Sequence, residues 1–205
     1  MSGHSRGQPR LPPDDLSTRS LGLITPSRRW VRCARVDRPS LCDWDGRDTA
    51  RFGGENCRYR CLYLASNPVT SFWEAFGEDL LDLHPDDRRI SHDELASRQI
   101  VGFTLRGDLR VFDAANPSAL RKISADGSTF GAAYTLTQRW AAALMSHPEA
   151  PDGIVYPSRL NSPDRCLALF EKKSKKNNIH AVVLHNLSDD ESVIASLVGN
   201  GVSMG

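Results

Sequence analysis

The stretch Cys61-Leu-Tyr-Leu-Ala-Ser-Asn-Pro-Val-Thr-Ser-Phe-Trp-Glu74 joins a short apolar run to the start of an amphipathic segment. Its first five residues have the length and composition of a buried strand. Asn67 is a typical helix N-cap, and Pro68 suits the first helical position because its missing N–H has no helical partner to lose. The stretch therefore predicts a strand, a turn, and a helix that begins at Pro68.

The predicted helix has one apolar side, and Glu74 lies away from it. Apolar residues recur there at helical spacing, namely Val69, Phe72, Trp73, Phe76, Leu80 and Leu83. At about 100° per residue, Glu74 is roughly 150° from the centre of this stripe. The helix therefore presents Glu74 either to bulk solvent or to a polar cleft.

The remaining elements mix strands and helices without a strict βαβ order. Strands are predicted at 154–156, 166–170 and 180–184, a helix at 136–147 that Pro148 ends, and a hairpin formed by 100–105 and 109–112 around Arg106-Gly-Asp108. This mixture favours an α+β fold, with a mixed or antiparallel sheet core and flanking helices, over a doubly wound sheet.

Composition divides the chain into an arm, one folded domain and a tail. Residues 1–28 are rich in Pro, Arg, Ser and Gly and predict a flexible or loosely docked arm. Residues 29–185 carry most of the predicted elements, and residues 186–205 are interpreted as a C-terminal helix or tail. A chain of 205 residues is long enough for one substantial core.

The N-terminus and the cysteines predict a cytoplasmic protein, and the overall charge and hydropathy predict no direct nucleic-acid or membrane partner. The formal net charge is +1, with 40% hydrophobic and 25% charged residues. No stretch reaches the roughly 18 apolar residues that a membrane span needs, and the N-terminus lacks the apolar core of a secretory signal. The basic run Lys172–Lys176 is interpreted as a solvated turn between two strands.

Familiar site motifs are absent from the sequence. The five cysteines are irregularly spaced, and no Cys or His pair completes a zinc set with Cys57 and Cys61, so reduced thiols and no metal site are expected. Ser158 has no Gly-x-Ser-x-Gly setting. Gly-x-Gly-x-x-Gly and P-loop motifs are also lacking.

Three polar residues nevertheless follow or adjoin strand-like segments in a suggestive order. Arg51 stands in Ala-Arg-Phe-Gly-Gly, Glu74 follows Leu-Tyr-Leu-Ala-Ser-Asn-Pro, and Ser158 ends Asp-Gly-Ile-Val-Tyr-Pro-Ser. Each alone has an ordinary structural explanation, as a solvated side chain or a turn residue. Only their order and flanking residues, taken together, distinguish them from such ordinary positions.

Several segments, taken together, resemble the RES domain family, which is named for its Arg, Glu and Ser. They are Arg51-Phe52, Tyr59–Ala65, Thr70–Glu74, Asp152–Ser158 and Cys166–Phe170. The resemblance spans about residues 29–171 and is strongest at 62–74 and 153–158.

This resemblance implies a fold similar to ADP-ribosyltransferases of the diphtheria-toxin type, and a catalytic domain at 29–185. The family's toxins destroy cellular NAD+, some by phosphorolysis to ADP-ribose-1″-phosphate, and some members are reported to ADP-ribosylate proteins. NAD+ is thus the expected substrate, with inorganic phosphate as co-substrate of a phosphorolysis and no metal. A cognate antitoxin of the Xre type, covering the active site, is the expected partner.

The resemblance also implies roles for individual residues. Arg32 and Arg51 match arginines that bind the phosphates, and Tyr63 matches the strand tyrosine on the nicotinamide side. Glu74 matches the acid that stabilises the ribosyl cation, and Ser158 matches the serine that holds either Glu74 or the ribose. Glu74, Ser158 and Arg51 form the expected catalytic set. The expected NAD+-binding set is Arg32, Arg51, Tyr63 and Ser158.

One departure from the family pattern keeps other functions open. Many members have Gly-Gly-Arg-Trp where this chain has Gly53-Gly-Glu-Asn56, so one phosphate-binding arginine is either absent or replaced by Arg51, Arg58 or Arg60. Three hypotheses remain: NAD+ cleavage by phosphorolysis or hydrolysis, mono-ADP-ribosylation of a protein, and a catalytically inactive binding module of the same fold.

Overall fold

Strands and helices alternate irregularly along the chain, in a computed structural model that describes residues 10–47, 50–53, 60–131 and 133–205. The strands are β1 (Arg29–Arg35), β2 (Cys61–Ala65), β3 (Arg89–Ile90), β4 (Arg98–Leu105), β5 (Val111–Asp113), β6 (Gly153–Pro157), β7 (Arg165–Phe170), β8 (Ile179–Asn186) and β9 (Ser203–Met204). The helices are α1 (Pro68–Leu81), α2 (His92–Ala96), α3 (Pro117–Lys122), α4 (Tyr134–Met145) and α5 (Glu191–Gly199).

Within the described residues, one seven-stranded sheet has the order β5-β6-β7-β2-β1-β4-β8. Only β5 and β6 pair in parallel, and every other neighbouring pair in this sheet is antiparallel. β3 and β9 form a separate parallel pair. The predicted α+β class, with a mixed, mainly antiparallel sheet and flanking helices, is confirmed.

The helix predicted from the opening stretch begins where expected. The Asn67 side chain accepts a hydrogen bond from Thr70 N at 2.9 Å, and Pro68 is the first helical residue. Phe72 and Trp73 are buried in a cluster formed with β1, β4 and α5. The helix ends at Leu81, so Leu83, assigned to the stripe from its spacing, lies beyond the helix and is exposed.

The predicted hairpin between 100–105 and 109–112 is wrong. β4 pairs with β1 on one side and β8 on the other, whereas β5 lies at the opposite edge of the sheet beside β6. The chain does bend locally at Gly107, which has a φ of +73°. However, the chain then runs through the buried Leu109 to Val111, which is fully buried and pairs in parallel with Gly153. The burial of Val111 at the opposite edge of the sheet, rather than the bend at Gly107, therefore decides that β5 pairs with β6.

The arm is more firmly docked than the sequence indicated, for the part that the structure describes. Leu16 and Leu21 are buried in the main core, and Ile24 forms a bridge with Val111. The indole N–H of Trp140 donates to the carbonyl of Arg10 at 2.7 Å. A few apolar residues in a polar segment therefore anchor residues 10–28, while residues 1–9 lie outside the described range.

The C-terminal residues pack against the helix that carries Glu74. The indole N–H of Trp73 on α1 donates to Ser196 Oγ on α5 at 2.9 Å, and Val193 and Leu197 are fully buried. The C-terminal segment predicted from the sequence thus contains a helix, α5, that packs against α1.

In the described ranges no helix is long and apolar enough to cross a membrane.

Candidate functional site

A cleft of about 400 Å³ is lined by residues of α1, the middle of β1 and the second half of β2. Its described lining contains Arg32, Arg38, Arg47, Arg51, Arg98, Asp45 and Glu74 as charged residues, together with the tyrosines Tyr63, Tyr134 and Tyr156. Five arginines against two carboxylates give these residues a formal charge of +3. The electrostatics of the cleft therefore favour an anionic ligand, although the whole chain is nearly neutral.

Glu74 and Ser158 form a hydrogen-bonded pair at this cleft. The hydroxyl of Ser158 donates to Glu74 Oε1 at 2.7 Å. Ser158 Oγ also accepts a hydrogen bond from the backbone N–H of Asn161 at 3.0 Å, so its own proton is directed toward the carboxylate. Ser158 is only 3% exposed and lies behind Glu74 rather than on the cleft wall. Of the two environments predicted for Glu74, the structure shows the polar cleft.

The buried glycine of the Asp-Gly-Ile-Val-Tyr-Pro-Ser segment has a packing role in placing Ser158. A Cβ added to Gly153 would lie 2.3 Å from the carbonyl oxygen of Ala168, on the neighbouring strand. β6 and β7 therefore approach too closely for any side chain at this position. This pairing runs along β6 to Pro157, directly before Ser158.

Arg51 is a buried cation on the cleft wall. It is 8% exposed, and its Nη1 donates to the carbonyl of Phe130 at 3.1 Å. Its guanidinium carbon lies 5.5 Å from the ring centroid of Tyr134 and 5.7 Å from that of Tyr156. Among the described residues no carboxylate forms a salt bridge with it. A stacked guanidinium that keeps free N–H groups is well suited to bind a phosphate.

The segment that carries Arg51 is held from both sides. The backbone N–H of Phe52 donates to the Tyr63 hydroxyl at 3.0 Å, and the Thr137 hydroxyl donates to the Arg51 carbonyl at 2.6 Å. Burial raises the pKa of Tyr63 above its usual value, so this phenol stays protonated. Tyr63 therefore has a positioning contact as well as a place on the cleft wall.

Arg32 reaches the cleft from β1. Its Nη1 donates to the carbonyl of Asp43 at 2.5 Å. Burial lowers the pKa of Arg32 from its usual value, and the nearby Asp43 and Asp45 carboxylates oppose this effect. The contact with Asp43 is made through the backbone oxygen, so Arg32 keeps donors for a ligand.

Sequence reasoning missed three arginines and two tyrosines of the lining. Arg38, Arg47 and Arg98 also line the cleft. Each of these three forms a salt bridge, with Asp43, Asp45 and Glu94 respectively. Their sequence neighbours carry no motif, and only the pairing of β1 with β4 and the path of the 36–47 loop bring them together. Tyr156 did have a signal, since it belongs to the segment that ends at Ser158, whereas Tyr134 had none.

Three arginines, Arg51, Arg58 and Arg60, are candidate replacements for the family arginine that is missing from Gly53–Asn56, and the structure describes two of them. Gly54, Glu55, Asn56 and Arg58 lie outside the described residues. Arg60 donates twice to the carbonyl of Trp44, at 3.0 and 2.6 Å, and is not part of the described cleft lining. Of the two candidates that the structure describes, Arg51 and Arg60, Arg51 lines the cleft.

The described residues contain no group of three or more His, Cys, Asp or Glu side chains able to hold a metal ion. Cys33 and Cys166 line the cleft, but burial raises the pKa of the Cys33 thiol to about 12 and raises that of Cys166 as well. Both thiols are therefore protonated and behave as small apolar groups. Arginine, carboxylate and tyrosine side chains thus supply the chemistry of this cleft.

Comparisons with known proteins agree with this architecture. A chain in the crystal structure of the M. tuberculosis MbcT–MbcA toxin–antitoxin complex matches with a TM-score of 0.55 and 18% identity, over 84% of this chain and 93% of that one, which shows a shared fold. "Probable toxin y4kH" of Sinorhizobium fredii (strain NBRC 101917 / NGR234) is 31% identical over 86 residues, or 42% of this chain and 67% of that protein. The family model of the RES domain matches residues 29–189, and the chain therefore belongs to the RES domain family.

Proposed function

We propose that this protein is a toxin that cleaves the nicotinamide–ribose bond of NAD+, by phosphorolysis or by hydrolysis. The observation that carries the proposal is the Glu74 carboxylate, held by Ser158 at 2.7 Å in a cleft whose wall contains the buried cation of Arg51. An acid beside a phosphate-binding cation is what a ribose joined to a pyrophosphate requires.

The chemistry needs little proton transfer to the leaving group. As the bond between ribose C1′ and the nicotinamide nitrogen breaks, both electrons go to the nitrogen, which is already cationic, and nicotinamide leaves neutral. Positive charge then develops on the ribose, where a fixed carboxylate stabilises it. An oxygen of phosphate or water forms the new bond to C1′, and an attacking water releases its proton to Glu74 or to solvent.

Arg51 and Arg32 are assigned to the phosphates. Both line the cleft. Their described hydrogen bonds go to backbone carbonyls, of Asp43 for Arg32 and of Phe130 for Arg51, rather than to carboxylates. The remaining lining arginines are paired with acids near the cleft, which reduces the charge that they can offer. Tyr63 and Tyr156 supply aromatic surface in the same cleft.

An antitoxin is proposed as the partner, of the Xre type and covering the cleft. This part of the proposal is supported by the family assignment and by the solved structure of similar fold, which is a toxin–antitoxin complex. Transfer of ADP-ribose to a protein remains the second candidate function. It uses the same Glu74 and differs only in the nucleophile that reaches C1′.

Product identification separates these reactions. Purified protein is incubated with NAD+, with and without inorganic phosphate, and the products are identified by mass spectrometry. Phosphate-dependent formation of ADP-ribose-1″-phosphate indicates phosphorolysis, and ADP-ribose formed without phosphate indicates hydrolysis. A protein band labelled from radioactive NAD+ indicates transfer. A folded protein that leaves NAD+ intact in all three assays contradicts the proposal.

A further inference from the structure

A carboxylate outside the described cleft lining connects the two elements that carry Glu74 and Ser158. Asp164 Oδ2 accepts hydrogen bonds from Asn67 Nδ2 at 2.8 Å, from Thr70 Oγ1 at 2.7 Å and from Asn161 Nδ2 at 2.9 Å. Asn161 Nδ2 also lies 2.8 Å from Thr70 Oγ1, as a donor to it. We call these four residues the Asp164 cluster.

The cluster joins the first turn of α1 to the loop after β6. Asn67 is the N-cap of α1, and Thr70, which is fully buried, lies one helical turn before Glu74 on the same side of the helix. On the other side, the backbone N–H of Ser158 donates to the carbonyl of Asp164 at 2.8 Å. A single carboxylate oxygen therefore fixes the helix bearing the acid relative to the loop bearing the serine.

The same cluster determines which way the Ser158 proton points. Asn161 is held by its side chain to Asp164 and Thr70, and its backbone N–H occupies a lone pair of Ser158 Oγ at 3.0 Å. With that lone pair used, the Ser158 hydroxyl donates to Glu74 Oε1. Oε1 of Glu74 thus accepts from Ser158, while no described residue forms a hydrogen bond with Oε2, which we assign to a ligand.

We propose that Asp164 is a positioning residue for the reaction, acting through Asn161 and Thr70 to hold Ser158 against Glu74. The expected loss of kcat rests on the proposed function, whereas the ordering of Ser158 by Asp164 does not. Catalytic groups must be held within a fraction of an ångström, because a shift of about 1 Å costs on the order of 100-fold in rate. Asp164 does this without lining the described cleft.

The test compares Asp164→Ala and the near-isosteric Thr70→Val with Asp190→Ala. Asp190 is a matched control because its carboxylate caps α5, accepting from the N–H groups of Ser192 and Val193 at 3.1 Å, away from the cleft. We expect kcat for NAD+ cleavage to fall roughly 10- to 100-fold in both cluster variants, with KM changed less than about threefold. Asp190→Ala lowers the melting temperature but keeps kcat within about twofold of wild type, since none of the described hydrogen bonds of the Asp190 side chain reaches α1 or the loop after β6.

Amide exchange by NMR gives a readout that does not require turnover. The backbone N–H of Asn161, which donates to Ser158 Oγ, is expected to exchange at least about tenfold faster in both cluster variants. In Asp190→Ala it should exchange at the wild-type rate. The kcat of the double variant Asp164→Ala/Glu74→Ala should be no lower than that of Glu74→Ala alone, because the two residues act on one step.

The outcomes are distinguishable. Unchanged exchange at Asn161 in the cluster variants overturns the positioning role, and so does a kcat loss that simply follows melting temperature across all three variants. If wild type leaves NAD+ intact, the proposed function is refuted, while the exchange experiment still decides whether Asp164 orders Ser158. Additive losses in the double variant overturn action through Glu74.

Discussion

Replacing Arg51 by methionine removes the buried cation of the cleft while keeping a side chain of similar length. The structure gives Arg51 one described hydrogen bond, to the Phe130 carbonyl, and two tyrosine faces, so its charge is available to a phosphate. A hydrogen bond to a charged group contributes about 1.5–3 kcal/mol, which corresponds to roughly 10- to 150-fold in dissociation constant. We therefore expect Arg51→Met to weaken NAD+ binding by about 30-fold.

The assay is calorimetric titration of NAD+ into variants that also carry Glu74→Gln, so that the ligand is not consumed. Arg47→Met is the matched control, because Arg47 also lines the cleft but is exposed and forms a close ion pair with Asp45. We expect this control to change the dissociation constant by less than about threefold, as for an exposed charge. Equal weakening by the two substitutions, or tight binding by folded Arg51→Met, would refute the assignment of Arg51.

Three further predictions concern packing, capping and thiol reactivity. Gly153→Ala brings a Cβ against the β7 backbone and should destabilise the fold by more than about 2 kcal/mol, measured by urea unfolding. Asn67→Ala removes the N-cap of α1 and should cost about 1 kcal/mol or more in the same assay. Burial raises the pKa values of Cys33 and Cys61 to about 12, so at pH 8 both are protonated and should resist alkylation in the folded protein. Peptide mass spectrometry should show the half-buried Cys42 reacting before either of them, and reactivity of the two should rise only as the pH approaches 12.

The part of the fold that could be predicted rests on local signals. The start of α1 follows from Asn67 and Pro68, whose effects act within one helical turn, and the direction of Glu74 follows from the apolar stripe. The 105–111 segment shows the limit of such reasoning. Arg106-Gly-Asp108 predicts a change of chain direction from neighbouring residues alone. The pairing of β5 with β6 depends on burial against a strand that is distant in sequence, so no local pattern predicts it.

The same division applies to the site. Glu74 and Ser158 stand in recognisable segments, and their hydrogen bond follows from the placement of α1 beside the loop after β6. Arg98 and Arg38 could not be predicted, because an arginine in a loop or at a strand end is ordinarily solvated and no local pattern marks it. Asp164 was missed for a related reason: its three partners come from two segments almost 100 residues apart, and only the folded chain brings them to one oxygen.

The most direct test of the central claim is the initial rate of NAD+ loss, in phosphate buffer and in buffer without phosphate, for wild type, Glu74→Gln and Glu78→Gln. Glu78 is the matched control because it lies one turn further along α1, is half exposed at its side chain and pairs with Arg159 rather than with Ser158. Loss of transition-state stabilisation by Glu74 should lower the rate by roughly 100- to 1,000-fold, while Glu78→Gln stays within about threefold of wild type. A Glu74→Gln variant as active as wild type, or a wild-type protein that leaves NAD+ intact in both buffers, would contradict the account.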